Sequence, residues 1–136
     1  MQYIIKEYEK YEEEEILSLY QSVGWVNYIN NPLMLKNAFY HSLKIYAAYI
    51  DNKVIGIIRI VGDGYSVILI QDILVYPEYQ RKGIGTALLQ HVLEEYKNVY
   101  QKHLLTDNTP KTIQFYKSLD FLMDTDIECR AFLKYF

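Results

Sequence analysis

The chain has 136 residues, 51% of them apolar and 23% charged, which is the composition of a globular protein with one core that needs no disulfide or metal to hold it. Seventeen acidic residues against fourteen basic ones leave a net charge of −3, which counts against a broadly basic nucleic-acid-binding face. The single cysteine, Cys129, excludes an intrachain disulfide and suits a reducing cytoplasm.

The opening stretch carries charge at Lys6, Glu7, Glu9 and Lys10, unlike the apolar core of a signal peptide. Arg59 and Asp72 interrupt the two most apolar windows, so no membrane span is expected. With no repeat, linker or shift in composition, the expectation is one domain over residues 1–136, cytoplasmic, without membrane or nucleic-acid partners.

In chain order, "QYIIKEY" reads as a short strand. "YEEEEILSLYQSVG" reads as a helix with Ile16, Leu19, Tyr20 and Val23 in helical phase and Gly24 as its stop. Glu12 to Glu15 lie early in that helix, where the dipole favours negative charge. "NPLMLKNAFYHS" predicts a second helix, with Asn31 as cap and Pro32 at its first position. "LKIYAAYI" and "KVIGIIRIV" flank an Asp-Asn turn as a hairpin. "GDG" makes a second turn, and "YSVILIQDILVY" follows as a strand covered on both faces.

Ile84, Leu88, Leu89, Val92, Leu93 and Tyr96 form the stripe of a third helix. "KHLLT" is short enough for a strand parallel to the long one, because a helical crossover joins the two. "TPKTIQFYKSL" reads as a helix with Thr109 as cap and Pro110 at its start. "ECRAFLKYF" alternates and predicts a closing strand. The fold class is therefore α/β, a mixed sheet with helices on its faces.

Chemistry concentrates in "YPEYQRKGIGTALL", residues 76–89. A glycine turn opening a helix offers free N–H groups and a positive dipole end, which together bind anions. A Walker-type loop fails, because Gly83 and Gly85 stand two apart with Thr86 following and no lysine. A dinucleotide fingerprint fails at Leu88, where it needs a third glycine, and in the hairpins that precede it.

What remains is Gln80-Arg81-Lys82-Gly83-Ile84-Gly85, the pattern Q/R-x-x-G-x-G/A directly after a strand. It resembles the acetyl-CoA-binding signature of the GNAT superfamily of N-acetyltransferases. "DNTPKTIQFYKSLDF" resembles the second landmark of that family, an Asn before a helix bearing Phe-Tyr. The order of elements is similar along essentially the whole chain. One departure is Asp120, where the family usually has glycine; Asp adopts the left-handed helix-ending conformation less readily.

The resemblance implies a GNAT-like central sheet of six to seven strands and an acetyl-CoA-dependent N-acetyltransferase acting on a primary amine by direct attack, without metal. It implies that backbone amides from Arg81 through Thr86, including Gly83, Ile84 and Gly85, hold the pyrophosphate, with Gln80, Arg81 and Lys82 beside it. Leu74 and Val75 would pair with the pantetheine arm, the amide of one or the other would polarise the thioester carbonyl, and Asn108 would steady the cofactor. Tyr116 falls at the general-acid position, where a phenol that stays protonated suits the role. Asp72 is the first candidate for the base and His41 the second; a purely structural role stays open for Asp72.

Trp25 and Tyr28 would line the acceptor pocket, with packing in the core as the alternative. His91 and His103 have no ligand spacing, so no metal is expected. Cys129 has no His-Asp arrangement near it in the sequence and reads as packing rather than as a nucleophile. The rival to an enzyme is an acyl-CoA-binding or sensing module on the same fold. A homodimer through the closing strand is a further expectation.

Overall fold

A computed structural model describes residues 2–135. They form two compact units that divide between Leu104 and Leu105. The first holds a five-stranded sheet in the order β1-β2-β3-β4-β5, made of β1 (Ile4–Glu7), β2 (Lys44–Ile50), β3 (Lys53–Gly62), β4 (Val67–Val75) and β5 (Gln101–Leu104). The first four strands pair antiparallel and β5 joins β4 in parallel, so the mixed α/β sheet expected from the sequence is present. Its strands number five, not six to seven.

The missing strand is the tail. Residues 129–135 form no strand, and Phe132 and Tyr135 are exposed. Alternation alone does not make a strand, because the ladder requires a neighbour. The unit from 105 to 136 has no strand among the described residues to supply one. The closing strand on which the homodimer expectation rested is therefore not there.

Alternation along the strands divides the core. Ile45, Ala47, Ile57 and Leu74 meet Ile16, Leu19 and Tyr20 of α1 (Glu13–Ser22) and Leu35 and Phe39 of α3 (Pro32–Tyr40) in one buried cluster. The opposite face takes α4 (Ile84–Glu95), whose Ile84, Leu88, Leu89 and Val92 are buried and whose His91 packs edge-on to Tyr46 at 4.4 Å. Each fully buried aliphatic side chain contributes about 1.5–3 kcal/mol by leaving water, so these two stripes hold the helices to the sheet.

A four-residue helix, α2 (Val26–Ile29), lies between α1 and α3, where the sequence assigns no element. Asn31 stands at the N-cap of α3, but its side chain donates to Asn27 O at 2.9 Å and does not cap the helix. The Asp-Asn hairpin turn is as expected, with both residues left-handed at φ 50° and 65°.

Two features of β4 shape the edge and the turn at its end. The ladder with β3 shifts register between Arg59 and Ile60, and Gln71 is the extra residue on β4, a β-bulge. The ladder with β5 covers only Val67 to Ile70, so β4 runs on past its parallel neighbour. Tyr76 N–H donates to Ile55 O at 3.0 Å. Antiparallel alternation then turns the amides of Asp72 and Leu74 toward β3 and those of Ile73 and Val75 toward the side that β5 leaves open.

The turn between β3 and β4 is closed by Asp63, whose Oδ1 accepts from Tyr65, Ser66 and Val67 N–H at 2.8, 2.7 and 3.1 Å. The Ser66 hydroxyl, followed by these amides, holds its carboxyl well below the usual range. A lowered folded value means that the stabilisation is present above the unfolded pKa of about 3.9 and is lost as pH falls through the folded one. Asp63→Ala is therefore expected to flatten the acid side of the urea midpoint plotted against pH, with little change in its slope above pH ~5.

Candidate functional site

The turn after β4 is built by its own backbone. Pro77–Tyr79 form one 3₁₀ turn, and Gln80 Nε2 then donates to Val75 O at 2.9 Å, tying the loop back to the strand end. Gln80, expected beside the cofactor, therefore holds the turn. Arg81 and Gly83 are both left-handed, at φ 63° and 83°. Gly83 is the N-cap of α4 and supplies no side-chain cap.

A left-handed residue followed by a helical one converges successive N–H groups into an anion-binding hollow. Here these are the amides of Gly83, Ile84 and Gly85, with Thr86 next in the first turn of a twelve-residue helix. An ideal Cβ on Gly83 would meet nothing within 4 Å, so it is the left-handed φ and not crowding that calls for glycine there. Arg81 and Lys82 are exposed beside it. Ile84 buries its side chain completely and has only its amide to offer.

Of the two strand residues named from the sequence, Val75 turns its backbone to the open side, while Leu74 turns inward. An ideal Cβ on Gly56 would lie 2.8 Å from Leu74 O and 3.1 Å from Val75 Cγ2, consistent with a Leu74 carbonyl facing β3. Ile73, which sequence reasoning missed, shares the orientation of Val75. The signal for it is strand alternation, which puts residues two apart on the same side.

Asp72 is 2% exposed. Its Oδ2 accepts from Arg59 Nε at 2.7 Å and from the Tyr20 hydroxyl at 2.6 Å, and its Oδ1 is buried with no protein partner. Burial and then the Asp72 charge push the Tyr20 phenol up. For Arg59, burial opposes the charge and Asp72 more than offsets it, so its pKa is raised. The second candidate base, His41, is exposed at the end of α3 with Nδ1 2.9 Å from Asn37 O.

Trp25 and Tyr28 pack around Tyr20, with ring centroids 6.0 and 5.3 Å from it. Tyr28 OH stands 3.5 Å from Gln71 Nε2, at the outer limit of a hydrogen bond. The aromatic group therefore adjoins the bulge, and Trp25 remains 37% exposed.

In the second unit, α5 (Pro110–Lys117) begins at Thr109, whose Oγ1 accepts from Thr112 N at 3.3 Å. Asn108 is exposed just before that cap. The helix ends in a Schellman motif: Phe121 N–H reaches Tyr116 O at 3.1 Å and Asp120 N–H reaches Lys117 O at 3.0 Å. Asp120 takes the left-handed conformation at φ 68°. The rings of Tyr116 and Phe121 supply the apolar contact that accompanies this motif, with centroids 5.8 Å apart. Burial raises the pKa of Tyr116, which a bond to Thr106 lowers and the charge of Asp107 raises further. Its hydroxyl is a proton donor at neutral pH.

Among the described residues no three His, Cys, Asp or Glu side chains gather as metal ligands, and no helix is long and apolar enough to cross a membrane.

Residues 36–122 match the family model described as an acetyltransferase (GNAT) domain. An uncharacterized N-acetyltransferase, ycf52, of Pyropia yezoensis is 27% identical over 117 residues, 82% of this chain and 66% of that protein. The chain thus spans about two thirds of the length of such relatives, 66% and 63% for the first two. Among solved structures, a GNAT family acetyltransferase of Streptococcus pneumoniae shares 40% identity over 98% of both chains, with a TM-score of 0.88. The ribosomal-protein-S18-alanine N-acetyltransferase of Escherichia coli, at 21% identity and TM-score 0.71 over 87% of this chain and 76% of that one, shares the fold.

The two turn glycines should behave oppositely. Gly83→Ala places a side chain in a left-handed residue and should cost about 1–2 kcal/mol. Gly85→Ala meets only the methyls of Ile73 and Val75, at 3.9 and 4.0 Å, and should gain up to about 1 kcal/mol of helix propensity. In the second unit, Asp120→Gly should stabilise by about 1 kcal/mol for the same conformational reason. Chemical unfolding of the three variants checks all of these signs.

Proposed function

The chain belongs to the GNAT acetyltransferase family, and from that premise we propose that it is an acetyl-CoA-dependent N-acetyltransferase transferring the acetyl group directly to a primary amine. One domain over residues 1–136 is part of the proposal; the family match from 36 to 122 runs through both compact units. The observation that carries it is the hollow of convergent amides at Gly83, Ile84 and Gly85 on the N-terminus of α4, directly after a strand whose last residues outrun β5.

The amides of that hollow bind the pyrophosphate, and the helix dipole favours its charge. Arg81 and Lys82 add screened attraction of about 0–1 kcal/mol each. Ile73 and Val75, turned to the open side of β4, pair with an extended amide arm as an added strand would, and an N–H from this pair polarises the thioester carbonyl. Leu74 is left to the sheet. Asn108 and Tyr116 serve as cofactor contact and general acid, the phenol returning a proton to the departing thiolate.

Bound acetyl-CoA supplies an activated acyl group. A lysine-like amine is only about four parts in ten thousand neutral at pH 7, so the acceptor must shed its proton before attack. Trp25 and Tyr28 form the wall against which that acceptor rests.

Thermal unfolding with and without acetyl-CoA tests the cradle. At a hundredfold excess over Kd the ligand should add about 2.7 kcal/mol of stability, and Gly83→Glu should abolish the shift. No shift at millimolar ligand overturns the reading. Tyr116→Phe should lower kcat on a responsive amine by about 10²–10⁴ with acetyl-CoA affinity kept. Stabilisation without turnover on any amine would instead favour an acyl-CoA-sensing module.

A further inference from the structure

The buried group that acyl transfer leaves without a task is the carboxylate of Asp72. Its single oxygen Oδ2 joins three elements: its own strand β4, β3 through Arg59, and α1 through Tyr20. Arg59 is its cross-strand partner and is 5% exposed. The guanidinium continues to Ser42 Oγ at 3.2 Å and lies 5.8 Å from the ring of Phe39. Around this group the core is aliphatic and aromatic.

Desolvating such a pair costs about as much as its attraction returns, and apolar replacements are often equally stable. Stability alone therefore gives no reason for its place here, whereas fixing a register does. Arg59 and Asp72 are the last pair before the ladder steps, and Gln71 is the residue skipped. On the far side of the step Ile70 pairs with Ile60, on the face opposite Leu74 and Asp72. A slip of one residue exchanges every inward and outward group. It would turn the Leu74 amide to the open side and those of Ile73 and Val75 into the sheet.

We propose that Asp72 is a positioning residue and not a proton acceptor: clamped by Arg59 and Tyr20, it locks the bulge of β4 and so sets which backbone amides face the acyl group. Through Tyr20 the same clamp holds the Trp25–Tyr28 wall beside that strand. The consequence for catalysis rests on the acetyltransferase reading; the clamp itself does not.

Amide hydrogen exchange of the full chain, free of ligand, separates the two. In the parent protein the Leu74 amide should be protected and those of Ile73 and Val75 should exchange faster. In Asp72→Asn, Leu74 should lose protection by clearly more than any change at Leu89, which reports the α4 face. Kd for acetyl-CoA should rise, while the pH dependence of kcat keeps its shape. Unchanged protection at Leu74, or loss of the acid limb of the pH profile with Kd unaltered, overturns the proposal.

Should Asp72→Asn not fold, Tyr20→Phe keeps the ion pair and the ring and is read by the same exchange experiment. A faster Leu74 amide supports the clamp, and an unchanged one overturns it. Failure of the parent protein to bind acetyl-CoA would overturn the acetyltransferase reading but leave the exchange result standing.

Discussion

The central strand β4 has more backbone than its neighbour can pair. On one side β3 accompanies it throughout; on the other β5 stops at Leu104, opposite Ile70. Because peptide groups demand partners, the residues beyond that point bond within their own loop, to water or to something extended. Val75 O takes the first course through Gln80. The outward groups of Ile73 are left to the others, and an amide-bearing arm answers the same need that another strand would.

The turn between β4 and α4 is the complement of that edge. A chain leaving β4 must reverse into α4 without blocking the strand end, and two left-handed residues, Arg81 and Gly83, accomplish the reversal. The same conformations aim the first amides of the helix outward. Local geometry thus places a hollow of free amides and a strand edge as adjacent parts of one connection, and α4 is held in place by its four buried aliphatic residues on the sheet.

Much of this was legible in the sequence. The Asp-Asn turn, the helix start at Thr109 and the glycine pattern are local signals, read from residues whose conformational preferences leave few options. The stripes of α1 and α4 are equally plain, since burial follows period. The misses have tertiary causes. Asn31 found a carbonyl at Asn27 in place of the helix amides, a competition that sequence order does not resolve. The tail alternates like a strand, but pairing is a property of two segments. Leu74 and Val75 are neighbours and cannot both turn an amide outward, so Ile73 takes the side of Val75; the clamp of Arg59 and Tyr20 on Asp72 is a meeting of three elements that sequence order does not display.

The helix-ending motif of the second unit bears on how substitutions at Tyr116 should be interpreted. Tyr116 contributes the carbonyl that receives Phe121 N–H and the ring against which Phe121 packs. Its hydroxyl is the only part with no share in stopping the helix. An alanine there would confound loss of the proposed proton donor with an unravelled helix end, and the two defects would be indistinguishable in a rate. Only a ring-preserving replacement separates the proposed reagent from the scaffold, because in this residue hydroxyl and ring occupy one side chain.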